Sequence, residues 1–330
     1  MNSDQCNMAR FLEQFPEQIE KALEISKNVK ISGDFDKLVV TGIGGSTLPG
    51  DLLGLCLPDL KIPVVVNRDY DLPKGYTEKT LVFASSYSGN TEEPLHVFRS
   101  AKNKNLKMVG FFSGGQLELM CKDDHIPYVK YPKEAENFQP RFALGYSFIS
   151  MLNVLQNSDL IGDKKIDITT TIQVLKDETN QIREQAKHIA KKLVGKTPII
   201  YSSEKMKQLA YIWKINFNEN SKTPAFYNSY PELNHNEMVG YTNPQAKFHI
   251  ITLKDKTDYH RITKRMEITP KVIKSEKVDS TTLDLGGGSL ITRIFRSVYL
   301  SMWTSYYLAL EYEIDPTPVK MVENLKQELK

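Results

Sequence analysis

The sequence predicts an α/β protein of two domains, each a mostly parallel sheet sandwiched between helices. Three observations predict it. Short apolar runs of strand length alternate with amphipathic runs of helix length between residues 37 and 131, the pattern that buries a parallel sheet under helices. After a polar break, NSDLIGDKKID at 157–167, the alternation resumes. The chain has 330 residues, which at roughly 150 residues per domain makes two. The boundary is expected inside that break, giving domains 1–157 and 158–330.

Taken in order, residues 7–28 place Phe11, Phe15, Ile19, Ala22 and Leu23 on one side and predict a single amphipathic helix. KLVVTGIGGS (37–46) reads as a buried strand running into glycines. STLPGDLLGLCL (46–57) reads as a helix whose Pro49 falls near its start, where proline is tolerated. PVVVN (63–67) and TLVFASS (80–86) are strands, 91–103 a helix, and KMVGFF (107–112) a strand. SGGQLELMCKD (113–123) is a turn and short helix, and IPYVKY (126–131) a fifth strand. RFALGYSFISMLNVLQ (141–156) is helical throughout.

Beyond the break, a long helix runs to about 193 and TPIIYSS (197–203) is a strand. MKQLAYIWKINFNEN (206–220) is a helix, KFHIITLK (247–254) a strand, 257–268 a helix and KVIKSEKV (271–278) a strand. A long helix covers 289–313, and DPTPVKMVENLKQELK closes the chain as a turn and helix. The second half thus repeats the architecture of the first without repeating its sequence.

Composition narrows the function. Hydrophobic content of 40% and charged content of 25% suit a globular protein with a large core. The formal charge of +3 comes without a dense basic block, so nucleic acid is not an expected partner; a small anionic substrate is compatible. Cys6, Cys56 and Cys121 are far apart and form no CxxC, which implies neither a disulfide framework nor a cysteine metal site. His96, His125, His188, His235, His249 and His260 are scattered, with no HExxH, so no metal is expected. The first residues lack the apolar core of a signal peptide, and no apolar run approaches the ~18 residues of a membrane span. The expected location is the cytoplasm, without membrane attachment.

Two loops carry the chemistry. In VVTGIGGST (39–47) a strand ends in three glycines over four positions and Ser46 opens a helix. Such a loop lets backbone N–H groups approach an anion at a helix start. A dinucleotide fingerprint is not completed: Thr47 replaces the third glycine and PVVVN ends in Asn67 rather than an acid. No GKS or GKT follows, so an ATP-type phosphate loop is not expected. In ASSYSGNTEE (84–93), Ser86, Ser88 and Thr91 surround one glycine between a strand and a helix. A helix cap explains one hydroxyl. Several neutral donors aimed at one point suit a phosphate monoester, with no metal required. Gly45, Ser46, Ser86, Ser88 and Thr91 are therefore the expected phosphate-binding residues, at the carboxyl edge of one sheet.

GIGGS followed by SSYSGNTEE resembles the sugar isomerase (SIS) domain. NFNENSKTPAFYNSYPELNHNEMVGY (216–241) closely resembles the bifunctional phosphoglucose/phosphomannose isomerases, a branch of the phosphoglucose isomerase superfamily. QPRFALGY (139–146) and DPTPVKMVENLK (315–326) are similar to the same family, so the resemblance spans nearly the whole chain. It implies two SIS-type domains with the active site between them and across a dimer interface. The implied reaction is reversible, metal- and cofactor-independent conversion of glucose 6-phosphate and mannose 6-phosphate to fructose 6-phosphate.

That reaction moves a proton between C1 and C2, which takes a carboxylate base, stabilisation of a cis-enediolate and help in opening the ring. The resemblance places Glu219 of FNENSK as the base; on its own it reads first as a solvated residue ending an aromatic-rich helix, and only weakly as a base. It places His235 of ELNHNEM at ring opening, contributed by the partner subunit of a homodimer. It places Arg141 against the enediolate, where a permanent charge needs no proton transfer, and Lys320 of DPTPVKM beside His235 in ring opening. The remaining features read as structural. Phe295, Val298, Tyr299, Met302, Trp303 and Tyr306 form a helical stripe for core or dimer interface. LGGGS (285–289) is expected to be a flexible turn, and the charge runs 122–124 and 254–258 to be solvated.

Three alternatives remain. A sugar-phosphate sensor would lack the base and carry a DNA-binding domain, for which the residues before the first strand leave little room. A glutamine-dependent amino-sugar synthase needs an amidotransferase domain with a cysteine at its mature terminus. An isomerase restricted to glucose 6-phosphate, or favouring another phosphosugar, is the third.

Overall fold

The computed structural model describes residues 3–58 and 60–329. They form two compact units, Gln14–Ile172 and Met1–Glu13 with Gln173–Lys330. Each is a parallel sheet flanked by helices.

The chain opens with α1 (Met8–Glu13) and α2 (Phe15–Ser26), where the sequence predicts one helix. Pro16 is the reason: it has no N–H to bond the Leu12 carbonyl one turn back, so the helix restarts. The two pieces then belong to different units.

In the Gln14–Ile172 unit the elements are β1 (Lys37–Thr41), α3 (Leu48–Cys56), β2 (Val64–Asn67), β3 (Thr80–Ser85), α4 (Glu92–Asn103), β4 (Lys107–Phe112), α5 (Gly115–Asp123), β5 (Tyr128–Lys130) and α6 (Leu144–Asn157). The sheet order is β2-β1-β3-β4-β5, with every neighbouring pair parallel. Every residue of β3 is buried, as a strand covered on both faces requires. Val39, Val82, Phe98, Met108, Phe112 and Cys121 build the core on one side. Two amides of α6 reach the end of α2: Asn153 Nδ2 donates to Ser26 Oγ at 2.9 Å, and Asn157 Nδ2 to the Ser26 carbonyl at 3.1 Å.

The units part at 172/173, inside α7 (Lys165–Leu193); the sequence places the boundary just before that helix. The second unit continues with β6 (Thr197–Ser203), α8 (Lys207–Asn220), β7 (Phe226–Tyr230), β8 (Phe248–Lys254), α9 (His260–Lys274), β9 (Asp279–Asp284), α10 (Leu290–Glu311) and α11 (Lys320–Glu328). Its sheet order is β7-β6-β8-β9, again parallel throughout.

Three expectations change here. Edge strand β7, FYNSY, is absent from the sequence reading. The strand expected at 271–278 is instead the last residues of α9 and the turn after it, because Met266, Thr269 and Ile273 are buried at helical spacing; the strand follows as the polar DSTTLD of β9. Asp255, in a charge run expected to be solvated, is fully buried against Arg293.

The stripe Phe295–Tyr306 is buried within the single chain and is core. On the same helix, three polar pairs index α10 to α8: Trp213 Nε1 donates to Ser297 Oγ at 3.0 Å, Asn216 Nδ2 to Ser301 Oγ at 2.7 Å and Asn220 Nδ2 to Ser305 Oγ at 2.9 Å. Among the described residues no helix is long and apolar enough to cross a membrane, and all three cysteines are free.

Candidate active site

Because β1 and β3 are adjacent and parallel, the loops that follow them emerge at the same sheet edge. After β1 the chain turns through Gly42–Ser46. Gly44 takes φ +57°, a left-handed conformation that favours glycine. Gly45 has no room for a side chain: a Cβ there would lie 2.9 Å from both Cα and N of Arg141. Arg141 sits in the short turn Pro140–Ala143, only 3% exposed, with its guanidinium carbon 4.5 Å from the centre of the Phe142 ring.

The loop after β3 is bonded to the first one: Tyr87 N donates to Ser46 Oγ at 3.2 Å. The Tyr87 ring packs on Phe138 at 5.4 Å between centroids, and Phe138 packs edge-on to Phe142 at 5.8 Å. The hydroxyls of the loop divide by task. Ser86 is fully buried; its oxygen accepts from Gly89 N at 3.1 Å and pairs with Thr91 Oγ1 at 2.9 Å. It holds the loop in shape. Ser88 is exposed and accepts from Asn90 N at 3.2 Å, while Thr91 is half-buried just before α4. Gly89 (φ +70°) lets the loop lie against Gly114 and Gly115; a Cβ on it would collide with the Gly114 carbonyl. The loop with Gly45 and Ser46 thus meets both the Arg141 turn and the loop with Ser88 and Thr91 at one sheet edge, and the Ser86 hydroxyl is bonded within the second loop. Small residues, hydroxyls and a buried guanidinium there suit a phosphorylated anion.

In the other unit, Glu219 lies half-buried in the last turn of α8, the helix that the Trp213, Asn216 and Asn220 bonds fix to α10. His235 is exposed in the loop after β7. That loop is pinned by Glu237, whose carboxylate accepts from Tyr201 of β6 at 2.6 Å and also from Asn228 Nδ2 of β7. The Tyr201 hydroxyl also bonds that of Tyr241. Burial, with Tyr241 and Glu237 close by, pushes the Tyr201 phenol well up, so it stays a neutral donor. Lys320 is the exposed first residue of α11. Lys222, just beyond α8, donates to the carbonyls of Glu219 at 2.6 Å and Pro316 at 2.8 Å.

The sequence singles out neither Glu237 as an anchor nor Lys222, Asn216 or Asn220. Each has a partner remote in the chain (Tyr201, Pro316, Ser301 and Ser305, respectively) that no local pattern marks. Among the described residues no group of three His, Cys, Asp or Glu side chains is placed to hold a metal.

Residues 182–329 match the family model of the bacterial phospho-glucose isomerase C-terminal SIS domain. A protein of Caldicellulosiruptor bescii named bifunctional phosphoglucose/phosphomannose isomerase is 42% identical over 329 residues, covering 95% of this chain and 96% of that one. The chain belongs to the bifunctional phosphoglucose/phosphomannose isomerase family. A second member, from Aquifex aeolicus, is 35% identical, covering 89% of this chain and 90% of its own length. The fold extends beyond this isomerase family: a glucosamine-6-phosphate deaminase of Thermotoga maritima superposes with a TM-score of 0.67 at 16% identity, over 93% of this chain and 96% of that one.

Proposed function

We propose that the chain interconverts glucose 6-phosphate, mannose 6-phosphate and fructose 6-phosphate through a cis-enediolate, without metal or cofactor. The observation that carries the reading is the meeting of the 43–46 and 86–91 loops with Arg141 at one strand edge; the names of its relatives support the choice of sugars. Gly45, Ser46, Ser88 and Thr91 take the phosphate, with Ser86 holding their loop. His235 and Lys320 move protons at the ring oxygen and the anomeric hydroxyl, and the ring opens. Glu219 then removes the proton from C2 of the aldose, leaving negative charge shared between O1 and O2, which Arg141 offsets. The proton returns to C1 and gives the ketose. In the reverse direction, rotation about C2–C3 before reprotonation exposes either face of C2, giving glucose or mannose 6-phosphate. His235 acts in the site of a second copy of the chain, making the working unit a homodimer, and the cytoplasm is where these sugars would meet it.

The test is NMR of fructose 6-phosphate in D₂O with EDTA. Glucose and mannose 6-phosphates carrying deuterium at C2 are expected, and Glu219→Gln should retain phosphosugar binding while losing turnover by about 10³-fold. Glucose 6-phosphate alone restricts the substrate. Binding with neither product nor exchange overturns the enzyme reading in favour of a sensor.

A further inference from the structure

Lys222 follows α8 in a left-handed backbone conformation, φ +53°, which turns its side chain back toward the helix end. The last carbonyls of a helix lack partners within it, and a nearby lysine commonly satisfies them. Lys222 Nζ does this for Glu219 O at 2.6 Å and, more loosely, for Asn220 O at 3.4 Å. A helix cap needs no more. Yet the same ammonium also donates to Pro316 O at 2.8 Å.

Pro316 lies in the strap that leads from α10 to α11. Pro316 and Thr317 are buried, and Thr317 N donates to Asp315 Oδ1 at 3.0 Å, so this stretch of strap is firmly seated. Lys320 comes next in the chain at the start of α11. One ammonium therefore ties the end of the helix that bears Glu219 to the segment that delivers Lys320. A compact cation with three donors suits three carbonyls converging from two segments.

We propose that Lys222 is a positioning residue: through Pro316 it fixes Lys320 relative to Glu219, so that ring opening and proton transfer act on one bound sugar. This rests on the isomerase reading above, and its test separates the two. Lys222→Met keeps the side chain's length and removes the three donors. Steady-state kinetics would be run with glucose 6-phosphate and with its 2-deuterated form. The expected result is a fall in kcat of about 10-fold to 10²-fold with KM changed less than about 3-fold. The deuterium isotope effect on kcat should shrink toward one, because ring opening rather than C–H transfer becomes limiting. Lys222→Arg, which can still donate to both segments, should recover most of the loss. A Lys222→Met enzyme with normal kcat overturns the proposal, as does a loss of thermal stability alone with kcat intact below the transition. An isotope effect that grows would show that Glu219, not Lys320, has been displaced, and also overturns it. An inactive wild-type protein that still binds the sugar phosphate refutes the isomerase reading itself; an active one with an indifferent Lys222→Met variant refutes only the role of Lys222.

Discussion

Gly45 and Arg141 meet backbone to backbone. A methyl group at Gly45 would sit 2.9 Å from Arg141 Cα and N and 3.1 Å from the Pro140 carbonyl carbon. None of these is the loose end of a side chain, so one of the two loops must move. Gly45→Ala is expected to lower kcat/KM by about 10²-fold, the cost of a misplacement near 1 Å, while the circular dichroism spectrum stays native. Gly162→Ala, at a position with nothing within 4 Å, is the control and should be kinetically silent. Normal kinetics for Gly45→Ala would remove this contact from the catalytic argument.

The ion pair between Arg293 and Asp255 is buried, with Nε to Oδ2 at 2.6 Å and side-chain exposures of 5% and 0%. Burial by itself would raise the Asp255 carboxyl, but the bonds from Arg293 and Thr257 outweigh it, and the group titrates below the usual carboxylate value. Asp255→Asn leaves a buried guanidinium uncompensated, at a cost of about 3–5 kcal/mol. Because the folded-state pKa is the lower one, this contribution is present in full above the ordinary value of 3.8 and is lost as pH falls below it. Urea unfolding of wild type and Asp255→Asn should therefore differ widely at neutral pH and converge in strong acid. A gap that widened on acidification would contradict the assignment.

His249 also loses stability on acidification, but through burial of an uncharged ring rather than through an ion pair. It is 2% exposed, with Nε2 2.9 Å from Thr281 Oγ1. Burial, assisted by repulsion from Lys196, pushes its pKa down to about 4 from 6.5, against a weaker pull from Asp279. Between those values the unfolded chain binds the proton and the folded chain does not, so stability falls as pH drops through that window. His249→Gln should remove up to about 3 kcal/mol of that decline. The check is the difference between wild-type and variant stability from pH 7 to 4, and a flat difference would sink it.

Much of the fold was legible because parallel strands buried on both faces are written as continuous apolar runs. KLVVT, TLVFAS and KMVGFF could hardly be anything else. The failures lie where that rule does not apply. FYNSY and DSTTLD are edge strands with one neighbour each, only partly buried, so their polar composition reads as loop. The break at Pro16 was hidden because apolar residues keep helical spacing on both sides of it. At the site, the glycines and hydroxyls announced their loops. That Ser86 turns inward while Ser88 faces out depends on how the loop closes on itself. The roles of Glu237 and Lys222 depend on bonds between distant segments, which no short motif encodes.

The bonds from Trp213, Asn216 and Asn220 of α8 to Ser297, Ser301 and Ser305 of α10 have a kinematic consequence. Moving α8 by one residue advances it about 1.5 Å along its axis and turns it by about 100°. Such a step breaks all three bonds together and leaves buried donors facing apolar neighbours. Intermediate sliding is closed to the helix, which has one seat and no detents beside it. If Glu219 is the base as proposed, the adjustment that brings its carboxylate to a substrate proton must then come from side-chain rotation or from motion of α8 and α10 as one body.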